Sequence, residues 1–132
     1  MITLSTVHAA ERAAAALSAT LAKLNSGASG ATIALYATTR PSIGAAPGAS
    51  ALATFTLDQP AGSIASGVLT LAPADNALIL TTGVALWARV EANGAIVFDC
   101  DVSDTAGTAT IRLAASQLYA GGSVNIASGV LS

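Results

Sequence analysis

Ionised side chains are the first thing this chain lacks: Lys, Arg, Asp and Glu make up 9% of its 132 residues, against about 25% in an average soluble protein. A free monomer carries interspersed charge to stay dispersed. A surface of Ala, Ser, Thr and Gly with a net charge of −2 therefore suits a protein covered by neighbours, although a G- and C-rich codon usage accounts for the Ala and Gly content equally well. The five basic residues, Arg12, Lys23, Arg40, Arg89 and Arg112, are scattered, which excludes the basic stripe of a nucleic-acid groove. The single cysteine, Cys100, excludes an internal disulfide, and the single histidine, His8, lies far from it; a zinc site of several thiolate or imidazole ligands is excluded with them. No run of about eighteen apolar residues occurs, so no membrane-spanning helix is expected. The N-terminus has no basic stretch, and Glu11 and Arg12 interrupt it; no secretory signal is expected, and the chain reads as made in the cytoplasm. Neither a cofactor, nor nucleic acid, nor a membrane is called for.

What is present is alanine and alternation. Hydrophobic residues are 53% of the chain, but 32 of them are alanine. One domain of this length can still bury roughly two thirds of its unfolded surface. Residues 5–25 read as a helix, capped by Ser5 or Thr6 and stopped at Asn25-Ser26-Gly27. Its apolar stripe runs Val7, Ala10, Ala14, Leu17, Leu21, Leu24, at spacings of three and four. Leu17, Leu21 and Leu24 can pack on the chain's own body or on a partner. After Gly30 the period changes to two, giving eight candidate strands at 32–39, 51–58, 64–72, 77–82, 84–92, 95–102, 108–114 and 123–131. Turn signals separate them at 41–50, 59–63, 73–76, 92–94, 103–107 and 120–122, with Asn93-Gly94 the best two-residue hairpin. Eight short strands without intervening helices predict a mainly β protein, an eight-stranded antiparallel β-sandwich (jelly roll) over 30–132, preferred to a seven-stranded immunoglobulin-like sandwich and preceded by one N-terminal α-helix and a Gly-rich turn over 1–29. The segment 41–50 has turn composition throughout and is expected to be the most mobile loop. The repeated IASGVL at 64–69 and 126–131 is read as coincidence in a chain so rich in Ala, Ser and Gly.

Three of the seven acidic residues, Asp99, Asp101 and Asp104, surround Cys100. Alternation places Ile96, Phe98, Cys100 and Val102 on a core face and Val97, Asp99 and Asp101 on the other. Cys100 is then a small buried hydrophobe. The two carboxylates suit solvent or an arginine of a neighbouring chain, while Asp104 heads a turn over 104–107. A calcium loop counted from Asp99 would need Gly and Glu where Asp104 and Thr110 stand. His8 has Glu11 three residues on and no nucleophile in prospect, so no enzyme is expected. On the strand 84–92, Val84, Leu86, Ala88 and Val90 are assigned to the core, which turns Trp87, Arg89 and Glu91 outward. A tryptophan beside an arginine has the composition of an interface hot spot, unless the N-terminal helix covers that face. Candidate interface residues are therefore Leu17, Leu21, Leu24, Arg40, Trp87, Arg89, Asp99 and Asp101.

The order of motifs resembles a group of small tailed-phage virion proteins. An Ala-rich helix runs into GATIALYATTRPSIGAAPGASALATFTLDQPAGSIASGVLTLAP, where Tyr36 ends a strand, Thr38 and Arg40-Pro41 enter a loop, Leu52-Ala53-Thr54 open a strand, Asp58 and Pro60 mark a turn, and Gly67-Val68-Leu69 open another. The stretch ALWARVEANGAIVFDCDVS is similar to the same group's Trp-bearing hairpin. Within that group the chain most resembles capsid cementing (decoration) proteins. The resemblance implies a jelly-roll protein on the outside of an icosahedral shell that clamps neighbouring major capsid subunits, a homo-oligomer with a dimer favoured, and no catalytic residue. A carbohydrate- or receptor-binding β-sandwich of a tail is the alternative, and would need Trp87 with Tyr36 or Tyr119 as an exposed aromatic platform.

Overall fold

The computed structural model describes residues 2–73 and 76–132. Helix α1, Thr6–Leu24, begins and ends where the sequence predicts: Ser5 Oγ accepts from the His8 amide at 3.2 Å, and the Asn25 amide closes on the Leu21 carbonyl. Gly27 then takes φ +90°, open to a residue without a Cβ. The strands are β1 Thr32–Tyr36, β2 Ala53–Ala65, β3 Val68–Pro73, β4 Ala77–Leu78, β5 Gly83–Val84, β6 Trp87–Ala92, β7 Ala95–Asp104, β8 Ile111–Leu113, β9 Gln117–Leu118, β10 Ser123–Val124 and β11 Ile126–Leu131.

The expected jelly-roll sandwich is not what forms. Seven strands close into one barrel in the order β1-β2-β3-β11-β8-β7-β6, with β6 returning to β1. Closure follows from β1 and β6, each hydrogen-bonded on both edges: Ile33 lies opposite Phe55 on one side and Val90 on the other. A barrel leaves no sheet edge exposed, whereas two stacked sheets would leave four. Nor is it wholly antiparallel. The last three residues of β7 run parallel to β8, Val102 opposite Ile111 and Asp104 opposite Leu113. Parallel neighbours ordinarily need a crossover of about a dozen residues. Six suffice here because the chain retreats by only ~10 Å, turning where Asp104 Oδ1 accepts from the Ala106 and Gly107 amides.

Three further expectations are corrected. The turn placed at 59–63 is a bulge inside β2, whose register with β3 shifts between Leu57 and Gly62. The strand placed at 64–72 is split by a hairpin, with Ser66 and Gly67 at φ 52° and 76°. Ser66-Gly67 thus does the same work as Asn93-Gly94, at φ 52° and 76°, which turns as predicted. The second IASGVL copy stays extended in β11 and pairs with β3, Leu131 opposite Leu69; one hexapeptide turns or runs straight according to the strand beside it. Lastly, 77–82 and the start of 84–92 leave the barrel. The turn expected at 73–76 falls, at residues 74 and 75, outside the described residues.

Ile33, Leu35, Phe55, Leu57, Leu69, Val90, Ile111 and Leu113 fill the barrel and are fully buried. Helix α1 closes one end. Leu17 and Leu24 join the same core and Leu21 packs on it, touching strands from opposite walls, β2 and β3 against β6 and β7. Asn25 Oδ1 accepts from the Ala61 amide at 2.7 Å, tying the helix end to the β2 bulge. At that bulge Gly62 faces the Thr70 carbonyl so closely that an added Cβ would collide with it. Gly62→Ala is expected to cost about 1–3 kcal/mol of stability, the range of an overpacked site, read from the denaturation midpoint.

The opposite end is closed by 77–86 and 114–125. These segments form two short ribbons, β4 with β10 and β5 with β9. They are held to the barrel rim by Leu80 N to Leu52 O (2.8 Å) and Leu86 N to Tyr36 O (2.9 Å). Ala77, Ile79, Ala85, Leu118 and Val124 point inward and are buried. Val84 and Leu86, assigned to a core face by the sequence, point out to solvent. The alternation slips at 86–88: Trp87 and Ala88 are consecutive buried residues, one on each face of the sheet.

Candidate functional site

The residues with most chemistry meet on the outer wall of the barrel, across β1, β6 and β7. Cross-strand register sets Tyr36 opposite Trp87, Trp87 opposite Asp101, and Arg89 opposite Asp99. Arg89 grips Asp99 with both arms of its guanidinium, Nε to Oδ1 at 2.8 Å and Nη2 to Oδ2 at 2.9 Å. Its remaining arm donates to the Ala45 carbonyl at 2.7 Å. Trp87 stacks on Tyr36, with ring centroids 4.6 Å apart and planes at 21°. It donates Nε1–H to Thr38 Oγ1 at 3.3 Å and carries the Arg89 guanidinium 5.3 Å from its ring centre. Thr38 in turn donates to the Pro47 carbonyl at 3.1 Å.

The segment 37–52 therefore lies folded over this wall. Trp87 is 1% exposed and Arg89 4%, so neither presents a surface to a partner. The outward direction read from the sequence is right for the strand. What covers the face is this loop, where the sequence offered the N-terminal helix. The expectation of a mobile loop at 41–50 meets a loop pinned at Ala45 and Pro47 and, through Arg40 Nη1 to Asp101 Oδ1 at 3.0 Å, at the edge of β7. Asp99 and Asp101, expected to face solvent or an arginine of a neighbouring chain, each meet an arginine of their own chain. Of the eight candidate interface residues, Leu17, Leu24, Trp87 and Arg89 are buried within the chain, Asp99 is half-buried with its carboxylate covered, Leu21 is half-buried, and Arg40 and Asp101 remain open to solvent.

Electrostatics reinforce a structural role for the cluster. The Asp99 hydrogen bonds hold the Arg89 guanidinium even more firmly charged than usual, against the opposing effect of burial. Tyr36 is raised by burial first and by the Glu91 charge second. Cys100 is buried on the inner face, as alternation predicted. Burial pushes its thiol up to about 12, with Asp101 adding and Arg40 opposing. A thiol so high is no nucleophile at neutral pH. The open cleft beside it is bordered by Phe98, Thr110, Arg112 and Leu131 and directs no unpartnered buried polar atom at a ligand, since none occurs among the described residues. Among those residues no three His, Cys, Asp or Glu side chains gather as metal ligands. The His8 ring meets Glu11, Nδ1 to Oε2 at 3.4 Å, both exposed.

No family model, curated protein or solved structure matches the chain. The functional reading accordingly rests on what its surface offers, and two features stand out. Residues 5–16 of the helical arm are exposed on every side, overhanging the barrel that anchors Leu17 and Leu24. At the opposite end Leu78, Leu80, Val84, Leu86 and Tyr119 are between 41% and 67% exposed. Sequence reasoning missed that second group by treating the strands 77–82 and 84–92 as parts of a sheet. A signal was nevertheless present: 76–86 and 113–132 contain no Asp, Glu, Lys, Arg or His.

Proposed function

We propose that this chain is a structural virion protein, a capsid cement that seats on the outer shell and stabilises contacts between major capsid subunits. The observation that supports it most is the overhanging arm. The stripe Leu17, Leu21, Leu24 that docks into the barrel continues as Val7, Ala10 and Ala14, which are exposed, with nothing opposite them among the described residues. Isolated helices shorter than about 12–15 residues are marginal in water. This one propagates from its anchored half and gains most by lying against another protein. The closed barrel supplies a rigid body, and the arm supplies reach across a seam. The resemblance of the Tyr36 to Leu69 motifs to decoration proteins of tailed phages points the same way.

The mechanism is mass action. A protein bound across two subunits stabilises the assembled shell, because separated subunits offer only half the site each. Particles assembled without this chain, or with residues 2–14 removed from it, are expected to break at a lower temperature than complete ones in a thermal-release assay. Equal release temperatures sink the reading, as does a copy number in purified virions far below that of the major capsid protein. The tail-module alternative draws no support from the geometry. Of its aromatic platform, Trp87 is covered and Tyr36 is stacked beneath it, and Tyr119 alone is exposed.

A further inference from the structure

The barrel wall is complete only as far as β8 reaches. That strand is three residues long, Ile111–Leu113, and it meets only the last three residues of β7, 102–104. Residues 95–101 of β7 pair with β6 on one edge and with no strand on the other. We propose that this free edge of β7 is a peptide-binding slot, which takes an extended segment of another protein as an added strand, with an acidic side chain set against Arg112. This reading of the edge goes beyond the virion role and does not depend on it.

The slot is one strand wide. β7 and β11 flank β8, and with neighbouring strands about 4.8 Å apart they stand roughly 10 Å from each other. Val130 N to Thr110 O at 3.1 Å is the last bond across that space. Beyond it the chain runs back to the Asp104 turn, and no strand fills the gap. A cleft of about 690 Å³ takes its place, bordered by Val68, Phe98, Thr110, Arg112 and Leu131, within the size range of ligand sites. Phe98 and Leu131 lie opposite the buried Val90 and Leu69, yet both stay half-buried, because the wall between them is missing. The edge itself is polar. Val102 donates its N–H to Leu86 on the β6 side, and residues alternate along a strand, so Asp99 turns its N–H and C=O away from β6 and into the cleft. No backbone hydrogen bond among the described residues reaches them.

Shape and charge select the occupant. An added strand offers a row of amides to the free edge and alternate side chains to the cleft. A helix, about 10–12 Å across, is too thick for the gap and has its amides already bonded. Side chains of the added strand that point inward meet Phe98 and Leu131, and those that point outward meet Arg112, which lies between the inward Ile111 and Leu113. Arg112 has no carboxylate within ion-pair distance among the described residues, and its Nε donates to the Ala109 carbonyl at a long 3.4 Å. The Asp99 carboxylate is held by Arg89 and covered, so it does not compete. A peptide carboxylate completes the guanidinium with charge-assisted bonds. The segment that fits is therefore extended, apolar at every second position and acidic in between.

The test selects random displayed heptapeptides on the purified full chain, then titrates the strongest isolate, resynthesised with blocked ends, by calorimetry. Isolates are expected to alternate apolar and polar residues with an acid among the polar ones. Arg112→Gln is expected to weaken binding about tenfold, the value of a hydrogen bond to a charged group. N-methylating alternate amides of the peptide is expected to weaken it by about a hundredfold in one of the two registers, since that register loses its donors to β7. On binding, the Asp99 amide should gain protection from hydrogen exchange. Methylation alters the peptide alone, so it and the exchange reading decide the matter even if the Arg112 variant fails to fold. A library that yields no binder overturns the proposal. Binding indifferent to methylation in both registers overturns it as well, and so does binding that leaves Asp99 exchange unchanged, which places the peptide elsewhere. Isolates without an acid that ignore Arg112→Gln overturn the role given to that arginine. None of these readings involves particles, so loss of the cement role leaves this one standing.

Discussion

Arg89→Ala is expected to lower the stability of this protein by about 3–5 kcal/mol, the cost of stranding one partner of a buried ion pair. For a domain of this length that means a melting temperature lower by roughly 10 °C or more. Three losses coincide. Asp99 stays in a covered site without its counter-charge, the Ala45 carbonyl loses its donor, and the Trp87 ring loses the cation above it. The segment 37–52 loses its central pin, so limited proteolysis should begin within 41–50 in the variant and not in the wild type. Arg89→Lys should recover only part of the loss, since an ammonium cannot span both carboxylate oxygens and the Ala45 carbonyl at once. Replacing both partners, Arg89→Met with Asp99→Leu, should be far less harmful than the sum of the single changes, because no buried charge is then left alone. A loss below about 1 kcal/mol for Arg89→Ala, the value of a surface pair, would show that this clamp holds nothing.

Cys100 should be close to inert in the folded protein. With its thiol at about 12 in place of 9.0, the thiolate population at neutral pH falls about a thousandfold. The greater basicity of such a thiolate returns a factor of roughly 20–30 in nucleophilicity. The net rate of alkylation or disulfide exchange is then at least about thirtyfold below that of an unfolded thiol, and burial excludes the reagent further. The measurement is the labelling rate in buffer against that in denaturant. A native rate equal to the denatured one contradicts the packing described. The same shift has a sign for stability. Folding favours the neutral thiol, so its contribution is complete below the ordinary thiol range and fades as pH climbs from there toward 12.

The legible and illegible parts of the fold divide along a physical line. Helix α1 was readable because its signals are local: a cap at Ser5, a 3–4 stripe, and a stop at Asn25 to Gly27. The Asn93-Gly94 hairpin and the Asp104 turn were readable for the same reason. Alternation also placed Cys100 inward and Asp99 with Asp101 outward. What alternation cannot supply is a strand's partner. A sandwich and a closed barrel demand the same pattern of inward apolar residues, and the difference lies in whether β6 finds β1.

The wall carrying Trp87 and Arg89 shows the same division at the scale of a site. Their residue types and outward direction were in the sequence, and an exposed hot spot was a fair expectation for them. Their burial depends on Ala45 and Pro47, some forty residues away in the chain, arriving overhead. The two IASGVL copies show it in miniature, one bent and one straight. Helix α1, the Asn93-Gly94 hairpin and the Asp104 turn were settled by neighbours in the chain, because caps, stripes and positive-φ residues act within a few positions. Closure of the barrel, the fate of the acidic strand and the bare apolar end were decided only by contacts between distant segments. Hydrogen bonding and burial there depend on which strand comes to lie alongside.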